Sequence, residues 1–251
     1  MECPSLSVII PTRDRGPLLA RALASVEAQS LPPGEVLIVD DGDAPLDARS
    51  LPGVRVVRQE APHGAARARN LGAARARGRF LAFLDDDDTW HPDYLAEAWR
   101  LVLDGGLDLA LTAFLKVRER EGGREVVPEK VPPEALRPED FLVRNPGIRG
   151  SNLFIRRAVF LQAGGFDPAL PSFHDMDLGF RLSLFPGLRY GRNTQPRVCF
   201  HVHAGLRLST AGSSTNVAGL RAFLAKHSAM MGPERVAAFR ERARQLFGVE
   251  P

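Results

Sequence analysis

Four consecutive acids, Asp85 to Asp88, follow the apolar run Phe80-Leu-Ala-Phe-Leu84. Adjacent carboxylates repel one another, and burying them unpaired is costly. A divalent cation would offset that charge. Hard oxygen donors suit magnesium or manganese, and such a site keeps positions open for substrate phosphates. Taken alone, the four acids read equally as a solvated turn capping the helix that starts near Pro92, with Asp88 as the cap. A second acidic pair, Asp40-Asp41, ends the run Val36-Leu-Ile-Val39 ahead of Gly42. A third group is His174-Asp175-Met-Asp177 with Arg181 one turn beyond Asp177. His201 and His203, two apart on a strand, would share a face and make a metal-ligand pair.

The elements that must carry these groups alternate. Leu6–Ile10 reads as a strand, followed by the loop Pro11 to Arg15 and by an amphipathic helix opened by Pro17, with Leu18, Leu19, Ala22, Leu23 and Val26 on one face. Strands are expected at 36–39, 54–57 and 80–84, with a helix over 65–77 stopped by Gly78. A helix over 92–103 and a strand over 107–114 continue the pattern. Strands and helices at this spacing imply a doubly wound parallel sheet, whose ligand site lies beyond the strand carboxyl ends. The loops at 11–15, 40–43 and 85–88 converge there.

Beyond this the pattern loosens. Residues 118–138, charged and proline-bearing, read as an insertion or loop. A strand at 152–155, helices at 156–163 and 177–184, and a last strand at 197–203 follow. Residues 205–216 are rich in Ser, Thr and Gly and read as mobile, and 217–247 as two helices separated at Gly232-Pro233. The division expected is a first half at 1–114, a second half of the same domain at 115–210, and a helical extension at 211–251.

Composition bounds the function. The 251 residues are 44% hydrophobic and 25% charged, with a net charge of +3. That describes an ordinary globular protein with no clustered basic stripe, so nucleic acid is not an expected partner. Lys116, Lys130 and Lys226 are the only lysines, and the arginine excess reads as genome composition. Cys3 and Cys199 indicate neither a disulfide framework nor a zinc cluster, which fits a cytoplasmic setting. No apolar run approaches the roughly 18 residues of a membrane span, and the N-terminus lacks the regions of a signal peptide. Peripheral contact at the inner membrane face stays open.

Three site chemistries can be weighed at such a sheet tip. A phosphoacceptor receiver needs a strand-end lysine and is about half this length. A Walker nucleotidase needs G-x-x-x-x-G-K-[ST], and a dinucleotide enzyme G-x-G-x-x-G after the first strand; neither run is present. A metal-assisted site that binds a diphosphate without a glycine loop remains.

Ser7-Val-Ile-Ile-Pro-Thr12, Val36-Leu-Ile-Val-Asp-Asp-Gly42, Gly64-Ala-Ala-Arg-Ala-Arg-Asn-Leu-Gly72, Phe83-Leu-Asp-Asp-Asp-Asp-Thr-Trp-His-Pro92 and Gly164-Gly-Phe-Asp167 together resemble the glycosyltransferase family 2 pattern. The resemblance implies an A-type glycosyltransferase fold with a mixed, mostly parallel sheet. It implies a nucleotide-sugar donor with UDP favoured, a manganese or magnesium ion, a hydroxyl acceptor and inversion at the anomeric carbon. By the same resemblance Pro11, Thr12 and Arg13 lie beside the base, and Asp40 or Asp41 accepts from its edge. Arg69 and Asn70 face the nucleotide, Asp85 and Asp86 line its side, and Asp87 is the metal ligand, joined by His201 or His203. Asp175 is the general base, although His174 stands where the family has Glu and could itself take a proton. Residues 205–214 resemble a loop closing over the diphosphate, with Arg207 as clamp. Two rivals stand beside this: nucleotidyl transfer to make a nucleotide sugar, for which Arg13-Asp-Arg15 is a faint signature, and a binding module without catalysis.

Overall fold

A computed structural model describes residues 5–60, 63–120, 123–202 and 213–249. In chain order the strands are β1 (Leu6–Thr12), β2 (Glu35–Asp40), β3 (Arg55–Arg58), β4 (Phe80–Phe83), β5 (Thr89–Trp90), β6 (Leu109–Arg120), β7 (Gly123–Lys130), β8 (Leu153–Arg156) and β9 (Tyr190–Val202). The helices are α1 (Gly16–Glu27), α2 (Ala65–Arg75), α3 (Tyr94–Asp104), α4 (Pro138–Val143), α5 (Arg157–Gln162), α6 (His174–Ser183) and α7 (Ser214–Phe247).

One sheet joins the strands in the order β3-β2-β1-β4-β8-β6-β9-β5, with β7 paired to β6. The block β3-β2-β1-β4 is parallel throughout. Strand β8 runs antiparallel to both β4 and β6, and β9 returns parallel to β6. The sheet is thus mixed, with its parallel half built as the alternation of short apolar strands and helices requires.

Both faces of the central strands are buried, so they read as continuous apolar runs. Along β1, Val8 and Ile10 pack with α1 and α3, while Ile9 between them joins the core on the opposite face. The same alternation splits β4, where Phe80 and Ala82 face one core and Leu81 and Phe83 the other. Helix α2 lies close on the sheet because Gly72 has no side chain: a Cβ there would fall 2.5 Å from Ile9 Cγ2. That contact holds the Arg69 turn of α2 beside the β4 tip.

Several expected boundaries move. Residues 118–138 are not simply a loop: β6 and β7 pair antiparallel from Phe114↔Lys130 to Arg120↔Gly123, crossed by Lys116–Glu129 at 3.5 Å and Arg118–Glu125 at 3.7 Å. Strand β7 is mostly solvated, and a strand with little buried face lacks the apolar alternation that would mark it. Helix α6 begins at His174, three residues earlier than expected, and β9 begins at Tyr190. The expected mobile stretch 205–216 falls largely outside the described residues, but Ser214 to Asn216 are the first turn of α7, with Ser213 Oγ accepting from Asn216 N at 3.1 Å. The break within 217–247 is where it was expected, at Gly232 (φ 70°, ψ 166°) before Pro233. The sheet runs unbroken through residue 114, which lies inside β6. Among the described residues no helix is long and apolar enough to cross a membrane.

Candidate active site

The carboxyl ends of β1 and β4, the start of α2, the loop before β8 and the start of α6 enclose a cleft of about 320 Å³. Its walls bring together Pro11, Thr12, Arg13, Asp41, Arg69, Asp85, Asp86, Asp87, His174 and Asp175 from the residues singled out by sequence. It also takes in Arg15, Arg149, Ser172, Phe173 and Phe200.

The acidic loop is held from several sides. Thr12 Oγ1 donates to Asp86 Oδ2 at 2.7 Å, and Arg15 reaches Asp86 at 3.3 Å and Asp87 at 3.4 Å. Arg69, 4% exposed, pairs with Asp85 at 2.5 Å. Burial works to raise the Asp85 carboxyl, but Arg69 together with His174 and Arg149 outweighs it and holds the group below the usual carboxylate range. Burial raises Asp86, only partly offset by Thr12 and Arg15.

Asp88 does not cap α3; Asp93 stands at that position. Its carboxylate turns inward, accepting from Ser151 Oγ at 2.6 Å and from His201 N at 3.3 Å. Burial, with repulsion from Asp87 and Asp85, pushes it well above the ordinary value. Ser151 is a brace that sequence did not signal: its Oγ also accepts from Asp85 N, and its carbonyl accepts from Trp90 Nε1 at 2.8 Å.

Asp85, Asp87 and Asp88 each offer a carboxylate oxygen within 4.8 Å of the others. All three donors are hard oxygens, and the repulsion on Asp88 is what a cation would relieve, so the group fits magnesium or manganese. The imidazole of His201 is not one of these three donors, although its backbone N–H donates to Asp88. Its Nε2 bonds Thr89 Oγ1 at 2.9 Å, because β9 pairs with β5 at this point. His203 and Arg207 lie outside the described residues.

The pair Asp40-Asp41 divides. Asp40 turns away from the cleft and accepts from Gly42 N, Leu46 N and Arg58 Nη1. Burial opposes these donors, yet together they hold its carboxyl below the usual range. Asp41 lines the cleft; its Oδ1 accepts from Gln59 Nε2 at 2.6 Å and His63 N at 2.7 Å, its Oδ2 from Gly64 N at 2.8 Å. Asn70 also departs from expectation. Its amide donates to Phe166 O at 2.7 Å and accepts from Phe166 N at 2.9 Å, clamping the loop after α5 and not facing the cleft.

Helix α6 presents His174 and Asp175 from its first turn. Phe173 before it takes the left-handed conformation (φ 64°, ψ 8°), which costs a non-glycine residue about 1–3 kcal/mol and aims the helix start at the cleft. Arg69 Nη1 lies 3.0 Å from His174 Nε2. A guanidinium only donates, so that nitrogen is the acceptor and the ring is neutral. Burial lowers the His174 pKa, Asp175 opposes this and Arg69 reinforces it. Asp175 Oδ1 is buried without a hydrogen-bond partner among the described residues, 3.9 Å from His174 Nε2. Asp177 faces the other way: it pairs with Arg181 at 2.7 Å, as its spacing implied, and with Lys226 and His227 of α7 at 2.6 and 2.9 Å.

The family model described as glycosyl transferase family 2 matches residues 7–162, more than half of the chain. The chain belongs to this family, and it is a glycosyltransferase. An uncharacterized glycosyltransferase of Haemophilus influenzae is 27% identical over 226 residues, covering 88% of this chain and 76% of that protein. The O-antigen biosynthesis protein RfbC of Myxococcus xanthus is 33% identical over 245 residues, 91% of this chain but 18% of that protein. Among solved structures, S. aureus TarS 1-349 in complex with UDP-GlcNAc superimposes with a TM-score of 0.71 at 20% identity, covering 98% of this chain and 73% of that one. The fold is the A-type glycosyltransferase fold.

Proposed function

We propose that this chain transfers a sugar from a UDP-sugar to an acceptor hydroxyl, with a divalent cation and inversion at the anomeric carbon. The observation that carries the reading is that Asp175, with a buried unpartnered oxygen, opens onto the same cleft as the acids Asp85 and Asp87. Support for a nucleotide-sugar donor comes also from the solved relative that holds UDP-GlcNAc.

Asp41 favours uracil. A carboxylate oxygen has two lone pairs, so Asp41 Oδ1 is filled by Gln59 and His63 while Oδ2 keeps one acceptor site beside Gly64. One site suits the single imino N–H of uracil, whereas the guanine edge offers two adjacent donors. Thr12 and Arg15 hold the acidic loop, and Asp87 with Asp85 and Asp88 would hold the cation. When bound, that ion neutralises charge on the diphosphate oxygens.

Asp175 takes the proton of the acceptor hydroxyl as that oxygen bonds to the anomeric carbon. The bond from that carbon to the diphosphate breaks on the opposite face, and its electron pair leaves with UDP. His174 is not the base in this reading, because Arg69 occupies its Nε2 lone pair. It braces Arg69 instead. Assay of donor turnover with UDP-, GDP- and dTDP-sugars against small hydroxyl acceptors tests the proposal: UDP-sugars should turn over in wild type and about two to four orders of magnitude more slowly in Asp175→Asn, and a preference for GDP-sugars would overturn the uracil assignment.

A further inference from the structure

Four arginines line the cleft, and three of them are paired with acids. Arg13 pairs with Asp43 at 3.6 Å, Arg15 with Asp86 and Asp87, and Arg69 with Asp85. Arg149 has no carboxylate partner among the described residues. It is held by aromatic rings: its Cζ lies 4.0 Å from the ring centroid of Phe200 on β9 and 5.0 Å from that of Phe114 on β6. An arginine stacked on rings keeps its N–H fork available for a planar or tetrahedral anion.

Its position in the chain says which anion. The next residue, Gly150, is pressed against the Arg69–Asp85 pair so closely that a Cβ would lie 3.0 Å from Arg69 Nε and 3.2 Å from Asp85 Oδ1. Two residues on, Ser151 braces Asp85 and Asp88. The charge of Arg149 is felt by both of these acids. The guanidinium therefore stands at the acidic end of the cleft, where a diphosphate would meet the cation, and not at the Asp41 end. Resting on the UDP-sugar reading above, the geometry points to Arg149 as the residue that binds the sugar-linked phosphate of the donor and stabilises the charge it gains on leaving, with Phe200 as its platform. The acidic group of an acceptor is the competing occupant.

Calorimetry with UDP and UMP in manganese, on wild type, Arg149→Gln, Phe200→Leu and the double variant, separates these. Arg149→Gln should weaken UDP by about ten- to a hundredfold, the worth of a charge-assisted bond, while UMP stays within about twofold. Phe200→Leu should weaken UDP less, and its effect should vanish in the Arg149→Gln background. Equal loss of UDP and UMP would reduce Arg149 to a structural role and overturn the inference. So would unchanged UDP binding with a raised KM for the acceptor. Wild type that binds another nucleoside diphosphate in place of UDP sinks the uracil assignment alone; the Arg149 variants are then read with the diphosphate and monophosphate of that nucleobase.

Discussion

Arg69 on α2 bonds Asp85 at the β4 tip at 2.5 Å and His174 on α6 at 3.0 Å, so one buried guanidinium joins the acidic loop to the start of α6. On the proposed reading, the donor side and the acceptor side of the cleft meet in this side chain. Removing one partner of a buried ion pair leaves the other charged and unsolvated. Arg69→Met is therefore expected to cost about 3–5 kcal/mol in urea unfolding and to weaken nucleotide binding. Full stability with intact binding would show that the pair does not hold the site.

Asp175 and His174 are adjacent but differently engaged, which makes their roles separable. Asp175→Asn should lower turnover by about two to four orders of magnitude with donor affinity nearly unchanged. His174→Ala should instead weaken donor binding through Arg69. A larger turnover loss in His174→Ala than in Asp175→Asn would move the base to the histidine.

Asn70 stands on the same helix turn as Arg69 yet clamps the loop at Phe166 through both ends of its amide. Asn70→Ala is expected to lower the melting temperature while UDP affinity stays within about twofold, because a lost pair of buried hydrogen bonds acts on stability. Loss of UDP affinity without loss of stability would return Asn70 to the nucleotide.

The Asp177 network ties α6 to α7 and sets an acid limit. Burial works to raise Asp177, but His227, Lys226 and Arg181 outweigh it and leave its folded pKa strongly depressed. The stability it contributes is present above the unfolded carboxyl value of about 3.9 and is lost as pH falls toward the folded value. Wild type should lose stability steeply below that point, and Asp177→Asn should be less stable at pH 7 with a flatter acid limb. Parallel curves for the two proteins would contradict this.

The parallel half of the fold was legible because β1, β2 and β4 are apolar runs buried on both faces, and β2 and β4 deliver acids at their ends, a pattern that needs no tertiary knowledge. The ribbon β6–β7 was not, since a solvated strand such as Gly123–Lys130 carries no apolar period. Within the site, Asp85, Asp87 and Asp175 stood out as acids in unusual company, whereas Arg15 and Arg149 were hidden among the many arginines of this chain. Asp88, Asp40 and Asn70 were misplaced for a common reason. Each is a polar side chain whose partner is distant in sequence or a backbone group, so spacing alone could not say whether it faced the cleft or the structure behind it.

Calorimetry of UDP with and without manganese on wild type and Asp87→Asn tests the proposed cation-assisted UDP site at Asp87 most directly. Wild type should bind UDP more tightly when manganese is present, and Asp87→Asn should lose that gain while its melting temperature moves by only a few degrees. UDP binding that is indifferent to manganese in wild type, or a manganese gain that survives in Asp87→Asn, would contradict the account.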